Sequence, residues 1–154
     1  MNTKMPRRFE EGLGYLIHHL MYAMRQTLSR QCRESGCNIT AEELAVLMII
    51  SECETELGLT QTQIAETLAK DKAVITRLLN ALSKEGLVLR TPDEHDRRVV
   101  RASLSESGCL AVERLRPILG KLLGKLYADI SDEEFLVTRD VLQRLLSNLK
   151  SISK

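Results

Sequence analysis

The stretch LTQTQIAETLAKDKAVITRLLNALSKEG, residues 59–86, constrains the fold more than any other part of the chain. Thr60 stands three residues before Gln63, the spacing at which a hydroxyl caps a helix start and the amide side chain returns the bond. This predicts a short helix over QTQIAETLA. After Lys70, Asp71 is placed to cap a second helix, KAVITRLLNALSK, and Gly86 supplies its stop. Two short helices across a tight turn read as a helix-turn-helix. At about 100° per residue, Val74, Ile75, Leu78, Leu79 and Leu82 of the second helix share one arc, opposite Ala73, Thr76, Arg77, Asn80 and Lys84. The second face is small, polar and cationic, without the Glu that an ordinary solvated face mixes with Lys. It suits insertion between phosphate walls and contact with base edges.

Next come LVL, the charged stretch RTPDEHDRRVVR, and ASL. Val100, Ala102 and Leu104 alternate with Val99, Arg101 and Ser103, so two strands flank a polar tip as a β-hairpin. A hairpin directly after a recognition helix is a wing. Charge clusters to match: residues 70–101 carry eight Lys and Arg against five Asp and Glu, whereas residues 31–69 carry one against seven. The net charge of +1 hides this, and clustering is what marks a nucleic-acid binder.

Longer helices flank this region. From about Phe9 to Ser35, the residues Leu13, Leu16, Ile17, Leu20, Met21, Met24 and Leu28 form one apolar stripe at i, i+3, i+4 and i+7. SGCN breaks it. Thr40 and Glu43 then open a helix to about Cys53 that ELG (residues 56–58) closes off. Ser105 is placed to cap a helix striped by Leu110, Val112, Leu115, Ile118, Leu119, Leu122, Leu123 and Leu126. Pro117 removes a backbone donor inside it and should bend it. Gly120 and Gly124, one turn apart, either admit a close neighbouring helix or weaken this one. Ser131 and Glu134 open a last helix carrying Phe135, Leu142, Leu145, Leu146, Leu149 and Ile152. A small winged domain cannot cover all these stripes, so a second copy in a two-fold dimer is the expected cover. The expected fold is mainly α with a small β-hairpin wing. A winged helix-turn-helix over 40–104 would lie between N- and C-terminal dimerisation helices at 1–35 and 105–154, in one folding unit per chain.

Composition narrows function by exclusion. Hydrophobic residues make up 44% of the 154 but aromatics only 3%, so the apolar weight falls on helix-forming Leu, Ala and Met with Ile and Val. The longest uninterrupted apolar run, Leu44 to Ile50, is far below a membrane span, and MNTKMPRRFEEG has no apolar signal core. A cytoplasmic protein without a membrane partner is expected. Asp93, Glu94, His95 and Asp96 crowd one loop without a cradle, and no nucleophile, base or metal set converges elsewhere. That argues against an enzyme, a cofactor or a metal. Cys32, Cys37, Cys53 and Cys109 lack CxxC spacing and a nearby histidine, which reads as structural thiols with no response to peroxide.

The order of elements, and the blocks ITAEELAVLMII, LTQTQIAETLAKDKAVITRLLNALSKEGLVLR and DRRVVRASLSESG, resemble the multiple-antibiotic-resistance regulator (MarR) family over nearly the whole chain. The resemblance implies a homodimeric winged helix-turn-helix regulator of double-stranded DNA with an inverted-repeat operator. Such proteins are usually repressors released by a small aromatic or anionic effector, or by cysteine oxidation. Major-groove contacts would fall on Lys72, Ala73, Thr76 and Arg77, with Asn80 beside them. The family's Asp-x-Arg wing motif falls on Asp96 and Arg98, with Arg97 between, the arginine entering the minor groove and the aspartate holding it. Many members carry a proline two residues before that aspartate. Here Glu94 stands there and Pro92 comes earlier, so the tip should take its own path. Effector-binding relatives use a pocket between the dimer helices and the winged domain, which singles out His18, His19, Tyr22 and Arg25 on the first helix. The N-terminal sensing cysteine of oxidation-responsive relatives has no visible counterpart, since Cys32 lies near the end of that helix. The alternatives are a redox-sensing regulator of the same fold and a winged-helix module that binds protein instead of DNA.

Overall fold

The computed structural model describes residues 8–53 and 57–152. Its elements are α1 (Leu13–Glu34), α2 (Ala41–Ser51), β1 (Leu59–Thr60), α3 (Gln61–Leu68), α4 (Lys72–Lys84), β2 (Val88–Pro92), β3 (Val100–Leu104), α5 (Glu106–Leu126) and α6 (Asp132–Ile152).

Capping chemistry sets most helix starts. Thr40 Oγ1 accepts from the Glu43 amide at 3.2 Å, and the Glu43 carboxylate accepts from the Thr40 amide at 2.7 Å. Thr60 with Gln63 and Ser131 with Glu134 repeat the box, and Ser105 Oγ accepts from the Gly108 amide at 3.0 Å. Each bond satisfies an amide that the helix itself leaves unpaired. Asp71 behaves differently from expectation. It holds the N-cap position of α4, but its side chain makes no capping bond. Val74 at the third helical position has no group to close a box. At the far end Gly86 takes φ +72 and the Leu87 amide reaches the Leu82 carbonyl at 2.9 Å, the left-handed stop its sequence announced. The first helix carries its whole stripe but starts later than Phe9: Phe9–Glu11 forms a 3-10 turn and extended Gly12 separates it from α1. Glu56, part of the expected break after α2, lies outside the described residues. Helix α5 continues through Pro117 without interruption.

The chain divides into two compact units. In the first, which ends at Ile118, α2 packs on α1, α3 and α4. Leu47, Ile64, Ile75, Leu79, Leu82 and Leu115 are all less than 2% exposed there, so the arc of α4 that the wheel marked as apolar is the one in the core. The sheet has three antiparallel strands in the order β1-β3-β2, and β1 was not foreseen. Two residues are too few for an alternation to register. Leu59 pairs with Ala102. The preceding Gly58, at φ +73, brings its Cα so close that a Cβ would sit 2.2 Å from the Ala102 carbonyl oxygen. Only glycine fits.

The second unit, Leu119–Lys154, holds the end of α5 and all of α6, with Tyr127 and Phe135 packed edge to face at 5.5 Å. No residue of α6 is buried; Phe135, Leu142, Leu146, Leu149 and Ile152 are all exposed. Within the first unit the α1 stripe is similarly bare, with Leu13, Leu16, Ile17, Leu20 and Met21 between 39% and 57% exposed. No helix among the described residues is long and apolar enough to cross a membrane.

Candidate nucleic-acid interface

Burying Ile75, Leu78, Leu79 and Leu82 fixes the rotation of α4 and turns Lys72, Ala73, Arg77 and Asn80 outward, with Thr76 half-buried at the edge. Two of these side chains are already engaged. Thr76 Oγ1 donates to the Lys72 carbonyl at 2.9 Å, so its hydroxyl offers lone pairs, and its methyl, to anything beyond the helix. The Asn80 carbonyl oxygen accepts from Arg90 Nη1 on β2, which leaves the Asn80 amide donors facing out. Arg90 was not singled out from the sequence. Its Nε is buried without a hydrogen-bond partner among the described residues, while Nη1 is held by Asn80.

The wing is organised by a residue read from the sequence as one charge among several. Asp93 is only 9% exposed. Its carboxylate pairs with Arg101 of β3 and also accepts the amides of His95 at 2.9 Å and Asp96 at 3.1 Å. The Arg101 hydrogen bond foremost, then those two amides, holds its pKa down at about 2. Arg101 Nη1 continues to the Gly58 carbonyl at 3.2 Å, so one ion pair ties the hairpin tip, β3 and the approach to β1 together. A Pro-Asp step before polar residues is a turn signal that could have flagged Asp93. The pairing with Arg101 could not be read, because it depends on strand register.

Asp96 also holds Arg98, though by a different atom than expected. Its carboxylate accepts the Arg98 backbone amide at 2.9 Å, a bond that shapes the turn and leaves the guanidinium outside. Short side chains at such turns bond local amides readily, whereas a long flexible guanidinium pays rotamer entropy to fold back. Arg97 and Arg98 are both exposed at the tip.

The residues marked for an effector pocket all stand on α1, where His18, Tyr22 and Arg25 have the i, i+4, i+7 spacing of one face and the adjacent His19 does not. His18, His19 and Tyr22 lie exposed along α1, with the His19 ring stacked on Tyr15 at 5.8 Å. Arg25 pairs with Glu42 of α2 at 3.2 Å, and Lys70 joins the same carboxylate at 3.0 Å. The Lys70 hydrogen bond is the main reason the Glu42 carboxyl titrates low, with Arg25 and Arg77 adding to it. Two cavities of the first unit are lined by other residues: one of about 180 Å³ by Cys37, Glu85 and Arg114 among others, and one of about 300 Å³ by Asp93, His95 and Arg101.

Set against known proteins, residues 39–100 match the MarR family. The chain is 31% identical over 132 residues to the organic hydroperoxide resistance transcriptional regulator of Bacillus subtilis, covering 84% of this chain and 86% of that one. Among solved structures, a DNA complex of Staphylococcus aureus MepR superposes with a TM-score of 0.81 at 26% identity, over 92% of this chain and 99% of that one. CouR of Rhodococcus jostii RHA1, bound to p-coumaroyl-CoA, superposes with a TM-score of 0.74 at 24% identity, over 90% and 94%, and shares the fold.

Proposed function

This chain belongs to the MarR family of transcriptional regulators, and from that premise we propose that it acts in the cytoplasm as a homodimeric, effector-released repressor on an inverted-repeat operator. The observation that carries the reading is the exposed face of α4. Lys72, Ala73, Thr76, Arg77 and Asn80 present cations and hydrogen-bonding groups without one acid, beside a hairpin whose tip exposes Arg97 and Arg98. An α-helix fits the major groove, and a guanidinium suits a narrow minor groove of A·T-rich sequence, where negative potential is enhanced. The DNA complex of the similar MepR supports this use of the fold.

Dimerisation rests on uncovered apolar surface. The α1 and α6 stripes expose Leu, Ile, Met and Phe side chains that a monomer would leave in water. In this reading segments 1–35 and 105–154 pair two copies and 40–104 binds DNA. Release falls to a small aromatic or anionic ligand near α1, with His18, His19, Tyr22 and Arg25 as the first candidates; recruiting Arg25 would break its pair with Glu42.

Binding to operator fragments selected from genomic DNA tests the core of this. Half-sites should lie about one helical turn, roughly 34 Å, apart. With about 6 to 10 phosphate contacts, log affinity should fall against log salt with a slope of about −5 to −9. A flat salt response would point to a protein partner and overturn the DNA reading.

A further inference from the structure

The end of α1 brings together two cysteines that the sequence leaves apparently unrelated. The Cys37 amide donates to the Cys32 carbonyl at 2.9 Å and the Gly36 amide to the Arg33 carbonyl at 3.0 Å, with Gly36 at φ +83. This is a Schellman closure, whose paired bonds place the side chain two positions past the cap against the last helical turn. In most proteins that contact is between two apolar residues. Here both of those positions are cysteines. The 2.9 Å bond is flanked by about 2.4 Å from Cα to carbonyl oxygen and about 1.5 Å from nitrogen to Cα, so the two Cα atoms stand at most about 6.8 Å apart. Any bend in that path shortens the distance further into the range a disulfide spans.

The two thiols differ in access. Both are buried, Cys32 at 1% and Cys37 at 8% exposure, but Cys37 lines the cavity of about 180 Å³ that also holds Arg114, whose Nη1 donates to the Ser35 carbonyl at 3.2 Å. Burial, with Cys37 adding to it, pushes the Cys32 thiol up and keeps it protonated.

We propose that Cys32 and Cys37 form an oxidisable dithiol site, in which Cys37 attacks a hydroperoxide that enters the cavity and Cys32 then closes an intramolecular disulfide. The Cys37 sulfur attacks the terminal peroxide oxygen and the O–O bond breaks. One alcohol leaves with a proton, and Cys37 becomes a sulfenic acid. The Cys32 sulfur attacks the Cys37 sulfur, the S–O bond breaks and water leaves. Two thiols and one hydroperoxide thus give one disulfide, one alcohol and one water. This replaces the expectation of inert thiols for this pair, and stands independently of the DNA-binding reading, since its test involves no DNA.

The experiment treats the reduced full-length protein with one equivalent of cumene hydroperoxide, blocks free thiols with iodoacetamide and maps the non-reduced tryptic digest. Trypsin cuts after Arg30, Arg33 and Lys70, so the disulfide joins Gln31–Arg33 to the peptide Glu34–Lys70 with the loss of two hydrogens. Because Cys53 lies in the second peptide, the map is repeated on Cys53→Ser, where the link should persist. Cys37→Ser should abolish it, and Cys32→Ser should stop at a Cys37 sulfenic acid that dimedone captures. Recovery of Cys32 and Cys37 both alkylated from the treated wild type, or a link that disappears in Cys53→Ser, overturns the proposal.

Discussion

Replacing Gly58 with Ala should unseat the wing from a distance. Two costs can be worked from the geometry. Gly58 sits at φ +73, where a residue with a Cβ pays about 1–2 kcal/mol. The added Cβ would also lie 2.2 Å from the Ala102 carbonyl oxygen, a backbone atom of the central strand that cannot swing aside. Moving β1 from β3 by about an ångström to relieve this resembles overpacking, at about 1–3 kcal/mol. Together the substitution should cost about 2–5 kcal/mol, measured by urea unfolding at fixed protein concentration because dimerisation feeds into the midpoint. The shift should also pull the Gly58 carbonyl from Arg101, which is bonded to it at 3.2 Å and anchors Asp93, so the wing amides should lose hydrogen-exchange protection before the α2–α4 core does. Gly120→Ala is the control. A Cβ there meets nothing within 4 Å, so the change should stabilise the helix by about 0.5–1 kcal/mol. A Gly58→Ala protein as stable as the wild type would refute the close approach. A destabilising Gly120→Ala would mean that another helix lies against that position.

Arg98→Ala should cost about 1–3 kcal/mol of operator affinity and weaken preference for A·T-rich flanks, while Arg77→Ala relaxes base choice within each half-site. Because Asp96 bonds the Arg98 amide, Asp96→Asn should keep most of the affinity that Asp96→Ala loses; equal losses in an anisotropy titration would restore a charge pairing with the guanidinium. The Asp93 carboxyl is depressed from 3.8 to about 2, so its contribution to wing order is complete above the ordinary value and disappears as pH falls through about 2. A carboxyl carbon resonance of Asp93 that titrates near 4 would show the clamp is not formed. Deleting residues 131–154 should yield monomers or aggregates with weak operator binding, and a well-folded monomer of full affinity in sedimentation would rule out α6 as a dimer element.

What could be read from the sequence was what depends on near neighbours along the chain. Thr40 with Glu43, Thr60 with Gln63 and Ser131 with Glu134 are three residues apart, and a capping box needs nothing more distant, so helix starts were legible to the residue. The core face of α4 was legible for the same reason, since a 3.6-residue period is a local property. Asp71 shows the limit even there: the right residue at the right position makes no capping bond with its side chain. The wing was legible as a hairpin but not in its mechanics. Asp93 and Arg101 are eight residues apart and Gly58 is forty-three from Arg101, so their association follows from the register Thr91↔Arg101 and from β1 joining the sheet. The cysteines show the opposite case. Cys32 and Cys37 are close in sequence and match no redox spacing, yet a helix stop at Gly36 turns a five-residue separation into a contact. Spacing motifs encode one geometry each; a thiol pair across a left-handed glycine has to be found by following the backbone bonds that end the helix.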